Sequence, residues 1–191
     1  AAATVVAAPT HAVDTMARDA EMPVSADIYV LNAGQVLAAP YLPRLWEALG
    51  LLHEGRFKDE AAAQRAVHLL QFLVFEQTAT PEYQLALNKL LCGVRSQVPM
   101  VREIEITTHE VEIVEQLLSA MIAHWKIIGS TSLRGLRETF LQRPGHLQLK
   151  DDAWHLRVQE GTFDMLLDQL PWSFSIIRYA WMERPVHVNW R

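Results

Sequence analysis

The chain has 191 residues, half of them hydrophobic, with a formal net charge of −5 and a pI near 5.9. That length suits one domain, or a domain with a tail, and the acidic, well-mixed charge argues against a nucleic-acid binder or a polybasic membrane arm. The single cysteine, Cys92, excludes an intrachain disulfide and fits a reducing compartment, and no apolar run approaches the ~18 residues of a membrane helix.

Residues 1–26 are rich in alanine, threonine and small polar residues without sustained periodicity, and read as a weakly ordered tail or linker. The start at Ala1, without methionine, points to a fragment or a processed product. Residues 1–8 lack the basic region of a signal peptide. A dense domain is expected over 27–191. Residues 28–31 read as a short extended piece. Residues 35–52 are helical in composition, but Pro40 predicts a break, Pro43 suits the first turn of a new helix, and Gly50 marks its end.

Asp59 is placed to cap a helix running to about Phe75, with Ala63, Val67, Leu70 and Val74 along one face. Thr80-Pro81-Glu82 combines a cap, a first-turn proline and an acid at the positive end of the next helix. That helix runs to about Cys92, and Gly93 suits the left-handed position beyond it. Thr107 and Glu110 have capping-box spacing. The helix behind them turns Val111, Val114, Leu118, Met121 and Trp125 inward and stops at Gly129. Residues 130–132 cap a fifth helix, with Leu133, Leu136, Phe140 and Leu141 inward and Pro144-Gly145 at its end.

After Gly145 the period falls to two. Leu147 and Leu149 alternate with polar residues, as do Trp154, Leu156 and Val158 beyond Asp151-Asp152, which predicts a β-hairpin. Thr162 is placed to cap a short helix over 163–169, and 174–178 and 186–190 read as strands. The expected fold class is α+β: about five helices followed by a small, mostly antiparallel sheet with a β-hairpin.

Few residues suggest chemistry. His109-Glu110 lacks the second histidine of a zincin helix, the eight histidines are dispersed, and one cysteine cannot build a cysteine-rich zinc site. No catalytic or metal site is assigned. No phosphate-binding glycine loop occurs, so no cofactor is expected. Glu103, Glu105, Glu110, Glu112 and Glu115 read as a solvated acidic strip, and Asp164 and Asp168 as the wet side of a short helix. Cys92, between Leu91 and Gly93, reads as a small buried apolar residue. Asn32, Asn88 and Arg137 sit in apolar text and are expected to pin loops from within. The sharper alternative is that Arg44, Arg137 and Arg143 contact a partner subunit. Of the six tryptophans most should be core, while Trp172, Trp181 and Trp190 are candidate partner contacts.

Several runs, in order and at compatible spacing, resemble one family. They are Ile28-Tyr29-Val30-Leu31-Asn32-Ala33-Gly34, Ala39-Pro40-Tyr41-Leu42-Pro43-Arg44-Leu45, and Ala66-Val67-His68-Leu69-Leu70-Gln71-Phe72-Leu73. Leu87-Asn88-Lys89-Leu90-Leu91-Cys92-Gly93, Ala123-His124-Trp125 and Gly135-Leu136-Arg137-Glu138-Thr139-Phe140-Leu141-Gln142-Arg143 follow. Trp154 with Leu156 and Val158, Phe163-Asp164, Leu170-Pro171-Trp172 and Trp181-Met182 complete the set. From about Asp27 to Trp190 the chain resembles the shared domain of contractile injection system tape measure proteins, which belong to phage-tail-like particles. Residues 1–26 fall outside this resemblance, and Arg178-Tyr179-Ala180-Trp181 departs from the Leu-Pro-Trp type of run expected there.

The resemblance implies a non-enzymatic assembly protein that helps set tail-tube length. It implies docking to tube, hub or baseplate proteins, with self-association as a further option. It also implies assembly in the cytoplasm, then a place in the particle. The alternative is a nucleic-acid-binding module of winged-helix type, suggested by helix-then-hairpin text and opposed by the acidic balance. A third class, an enzyme with a site assembled from dispersed residues, has no motif behind it.

Overall fold

The computed structural model describes residues 27–191. The expectation of a tail over 1–26 lies outside the described residues.

At the centre is helix α2, Glu60–Phe75. The Asp59 carboxylate accepts the Ala62 amide at 2.7 Å, so the expected cap is in place. Ala63, Val67, Leu70 and Val74 are buried, but so are Ala66, Leu69 and Leu73 on the other sides. A helix apolar all round belongs inside a layer rather than on its surface. Helix α1, Leu42–Ala48, starts with Pro43 in its first turn. The stretch before it, Ala33–Tyr41, winds as a 3-10 helix that contains Pro40. A tighter winding thus takes the place of the expected broken α-helix there. A two-stranded ribbon, separate from the main sheet, follows from Leu52–His53 and Arg56–Phe57.

Helix α3, Ala86–Leu91, is shorter than expected because its first turn, Glu82–Leu85, is 3-10. Thr80 does not cap it: the side chain is buried and its hydroxyl has no partner among the described residues. Helix α4, Thr108–His124, carries the full capping box, with the Glu110 amide on the Thr107 hydroxyl at 3.1 Å and the Thr107 amide on the Glu110 carboxylate at 2.9 Å. Helix α5, Leu133–Leu136, is capped by Ser132 and then widens into a π-helical turn, Arg137–Leu141. Gly34 lies against that turn: a Cβ there would stand 1.8 Å from the Phe140 carbonyl oxygen. Backbone meets backbone at this point, and only glycine permits it.

The main sheet has five strands. Numbering the main-sheet strands and the ribbon together in chain order, they are β1 (Ile28–Val30), β4 (Gly145–Lys150), β5 (Ala153–Val158), β7 (Val186–Asn189) and β6 (Ile176–Ile177), in that spatial order. The ribbon strands are β2 and β3. β5 and β7 run parallel, and the other neighbours are antiparallel. The fold is α+β as expected, but β1 joins the sheet from ahead of the helices. The sheet's inner face carries Val30, Leu147, Leu156, Val158 and Val186 onto the helical layer. Its other face alternates outward through Tyr29, His146, Gln148, His155, Arg157 and His187. The hairpin turn has Asp151 at φ 52° and Asp152 at φ 59°, the two left-handed positions of a type I′ loop.

Thr162 does not cap the next element. Asp164–Gln169 is a 3-10 helix, and the Gly161 amide donates instead to the Asp164 carboxylate at 2.8 Å. Asp164 is therefore buried rather than on a wet face, while Asp168 is exposed and pairs with Arg191 at 3.0 Å. Glu110 is also buried, bound by Arg65 at 2.7 Å; Glu103, Glu105, Glu112 and Glu115 are exposed.

Candidate functional site

The C-terminal stretch 170–191 crosses the helical layer and ends in the sheet, and its three tryptophans fasten it. The Trp172 indole N–H donates to the Leu37 carbonyl at 2.8 Å, and its ring meets Tyr41 edge-on at 5.2 Å. The Trp181 N–H donates to the Leu91 carbonyl at 2.9 Å, with Tyr179 stacked at 4.8 Å and Phe57 at 4.9 Å. The Trp190 N–H donates to the Asp164 carboxylate at 3.0 Å. An indole has one donor, and each of these is spent inward. The three do not form one patch. Trp172 and Trp190 share a groove of about 570 Å3 with Leu170, Phe174 and Val188, and Trp181 lies elsewhere against α3.

The arginines divide too. Arg44 is exposed on α1. Arg137 is buried, donating to the Leu73 carbonyl at 2.9 Å and to Glu76 at 2.8 Å, so it closes the C-terminal end of α2. Burial pulls its guanidinium below its ordinary pKa, with Glu76 and Glu115 opposing. Arg143 is buried under the Trp190 ring, 5.2 Å from its centroid, and donates to both oxygens of Asp164 at 2.9 Å. It also reaches the Gln159 and Thr139 carbonyls. Of the six sequence-chosen contact residues, all but Arg44 thus have partners inside the chain, and Arg137, Arg143 and Trp190 are buried as well.

Two residues beside the groove were missed by the sequence reading. Phe163 precedes the 3-10 helix Asp164–Gln169, Met165 lies in its first turn, and they are 55% and 51% exposed; Leu167 and Asp168 of the same helix line the groove. Their signal was present: apolar residues on a helix whose one buried side is taken by Asp164 and Leu167. Asn32, Gln35, Gln71 and Asn88 form a buried amide cluster, with Asn32 donating to Asn88 at 2.7 Å and Gln71 at 2.9 Å. It pins β1's exit to α2 and α3, as expected of Asn32 and Asn88. Cys92 is buried, and burial pushes its thiol well up, which leaves it unreactive. Among the described residues no cluster of three or more His, Cys, Asp or Glu is placed to hold a metal ion, and no helix is long and apolar enough to cross a membrane. The β4–β5 hairpin has β1 and β7 on its two sides, so it offers no free wing to a nucleic-acid groove.

The aromatics are fastened inward, the buried arginines are paired within the chain, and Trp172 and Trp190 line an open groove. The family model described as contractile injection system tape measure protein matches residues 5–190. The chain belongs to that family. The match starts well ahead of Asp27, where the recognisable runs begin; the small residues before it carry little side-chain text by which to read a resemblance. No curated protein and no solved structure matches the chain.

Proposed function

We propose that this domain is a folded end of a tape measure protein, acting through contacts and not through turnover, and that the ruler lies in other sequence. One observation carries this. The longest helix among the described residues, α4, has 17 residues, a rise of about 26 Å at ~1.5 Å per residue. A tube-length ruler needs far more extended helix than that. The domain docks to a tube, hub or baseplate component during assembly in the cytoplasm and stays in the particle. Its docking face is the groove of Trp172 and Trp190, extended by the exposed side chains of Phe163 and Met165. Phe and Met side chains left exposed near a groove that two tryptophans line are of the residue types enriched at interfaces. Arg44 and Trp181 are further contact candidates outside the groove.

The experiment has two arms. Deleting the domain from the full-length protein abolishes normal tails, while shortening a separate helical region shortens them. Phe163→Asp with Met165→Lys leaves the melting curve near that of the parent but reduces particle assembly. Normal particles of normal length after deletion overturn the assembly role. Normal assembly by the folded double variant removes the named face.

A further inference from the structure

We propose that His68 is an acid-sensitive latch beneath the strap of residues 94–106, and that its protonation releases this strap while the rest of the domain stays folded. The strap joins α3 to α4 and holds no helix or strand, only one bridge from Ala79 to Glu103. It is tied to the body at a few points. The buried Lys89 ammonium donates to the Ser96 carbonyl at 3.1 Å, to the Val98 carbonyl at 2.8 Å and to the Glu82 carboxylate at 2.7 Å. The Thr80 amide donates to the Arg102 carbonyl and the Ile104 amide to the Thr78 carbonyl, each at 3.0 Å. Arg65 of α2 donates to the Glu105 carbonyl at 2.9 Å. The Val98 and Met100 side chains are only partly buried against the core.

His68 stands on α2 and bonds the Val101 backbone of the strap. It is 2% exposed and is the one buried histidine among the described residues. Its Nε2 has no hydrogen-bond partner, and no acid pairs with it among the described residues. A proton added to the ring would place a buried charge near Arg65 with no carboxylate to answer it. Burial holds the imidazole below the ordinary histidine value; the Val101 bond opposes this and the Arg65 charge adds to it. The closed strap thus refuses a proton that an opened strap, with the ring in water, accepts near pH ~6.5. The closed form keeps its full stability above that pH and loses it as pH falls towards the lower, closed-state value.

The other charges around the strap lie outside this window. Glu82 is held below the ordinary glutamate range by the Lys89 bond, and Glu110, against its own burial, by the bonds from Arg65 and Thr107. Both therefore titrate below about 4.3. Arg95, Arg102, Glu103 and Glu105 of the strap, and His109 in the first turn of α4, are exposed to water. Opening frees Lys89 from its two carbonyls and uncovers the α2 surface at His68.

The test is hydrogen exchange by NMR on the full chain at pH 7.5 and 5.5, with rates corrected for intrinsic exchange. The Thr80 and Ile104 amides report the strap, and the Leu118 and Leu156 amides report α4 and the sheet. Protection of the first two should fall by at least about threefold, with a ceiling of about elevenfold set by an open-state value of ~6.5, while Leu118 and Leu156 keep theirs. In His68→Gln the strap amides should lose this pH dependence. Lys89→Gln should weaken their protection at both pH values and leave the ratio as in the parent. Equal strap protection at the two pH values, an equal loss at Leu118 and Leu156, a pH effect that persists in His68→Gln, or one that vanishes in Lys89→Gln overturns the proposal. Should His68→Gln not fold, the titration of the His68 ring Cε1–H signal in the parent decides: a midpoint below about 6.5 sustains the latch, and one at or above that value overturns it.

Discussion

Asp164 is the residue on which the C-terminal half closes. It accepts from Arg143, from the Gly161 amide and from the Trp190 indole, and it is 2% exposed. Removing its charge leaves the Arg143 guanidinium buried and unpaired, which typically costs about 3–5 kcal/mol. Asp164→Asn should lower the urea midpoint by that scale, whereas Asp168→Asn at the exposed neighbour should change stability by less than about 0.5 kcal/mol. Equal effects would show that burial at Asp164 is not what matters. Glu110 gives a pH signature. Burial by itself would raise its carboxyl, but the bonds from Arg65 and Thr107 outweigh burial and hold it below the usual glutamate range. Its contribution is complete above the unfolded value of about 4.3 and is lost as pH falls through the lower folded value. Glu110→Gln should be less stable than the parent at neutral pH and should lose part of the acid-side decline in denaturant melts.

At the scale of elements, local rules succeeded where a side chain and its backbone partner lie within one turn. The Asp59 cap, the Thr107–Glu110 box and the Asp151-Asp152 turn were legible for that reason. Thr80 and Thr162 had the same local text and failed, because in each place the chain winds 3-10 and another group takes the amides or the side chain turns inward. The π-helical turn left no local sign; it is fixed by what lies across from it. The hairpin turn is improvable. Both its positions need positive φ, which aspartate adopts less readily than Asn-Gly. Asp151→Asn with Asp152→Gly should stabilise the domain by about 0.5–1 kcal/mol in thermal melts, since the Asp152–Arg184 pair it removes is on the surface. A lower melting temperature would show that the surface pair outweighs the turn.

For the whole molecule, the sequence exposed the layers but not their stitching. Apolar periodicity located α2 and α4, yet nothing in one segment tells that β7 runs parallel to β5 or that β1 crosses over to β4. The candidate contacts suffered likewise: a tryptophan or arginine looks the same in text whether its donor meets a partner protein or the Leu37 or Leu73 carbonyl. Trp125 shows how far the layers depend on one ring. It is fully buried, donates to the Leu166 carbonyl at 3.1 Å, and packs on Phe140 at 4.7 Å and Trp172 at 6.4 Å. Trp125→Ala should cost about 3–5 kcal/mol in urea unfolding. A loss below about 1 kcal/mol would mean that the C-terminal segment docks independently of that ring.

The contact between Gly34 and the wide turn at Arg137–Leu141 has a consequence for descent. A π-helical turn differs from an α-helical one by a single extra residue, and here its displaced carbonyl occupies the space a side chain at position 34 would need. The two places therefore cannot drift separately. In relatives that keep the extra residue, position 34 should remain glycine; in lineages that have lost it, a side chain should have appeared there. Joint counts of the two states across the family would reveal this as covariation between positions a hundred residues apart.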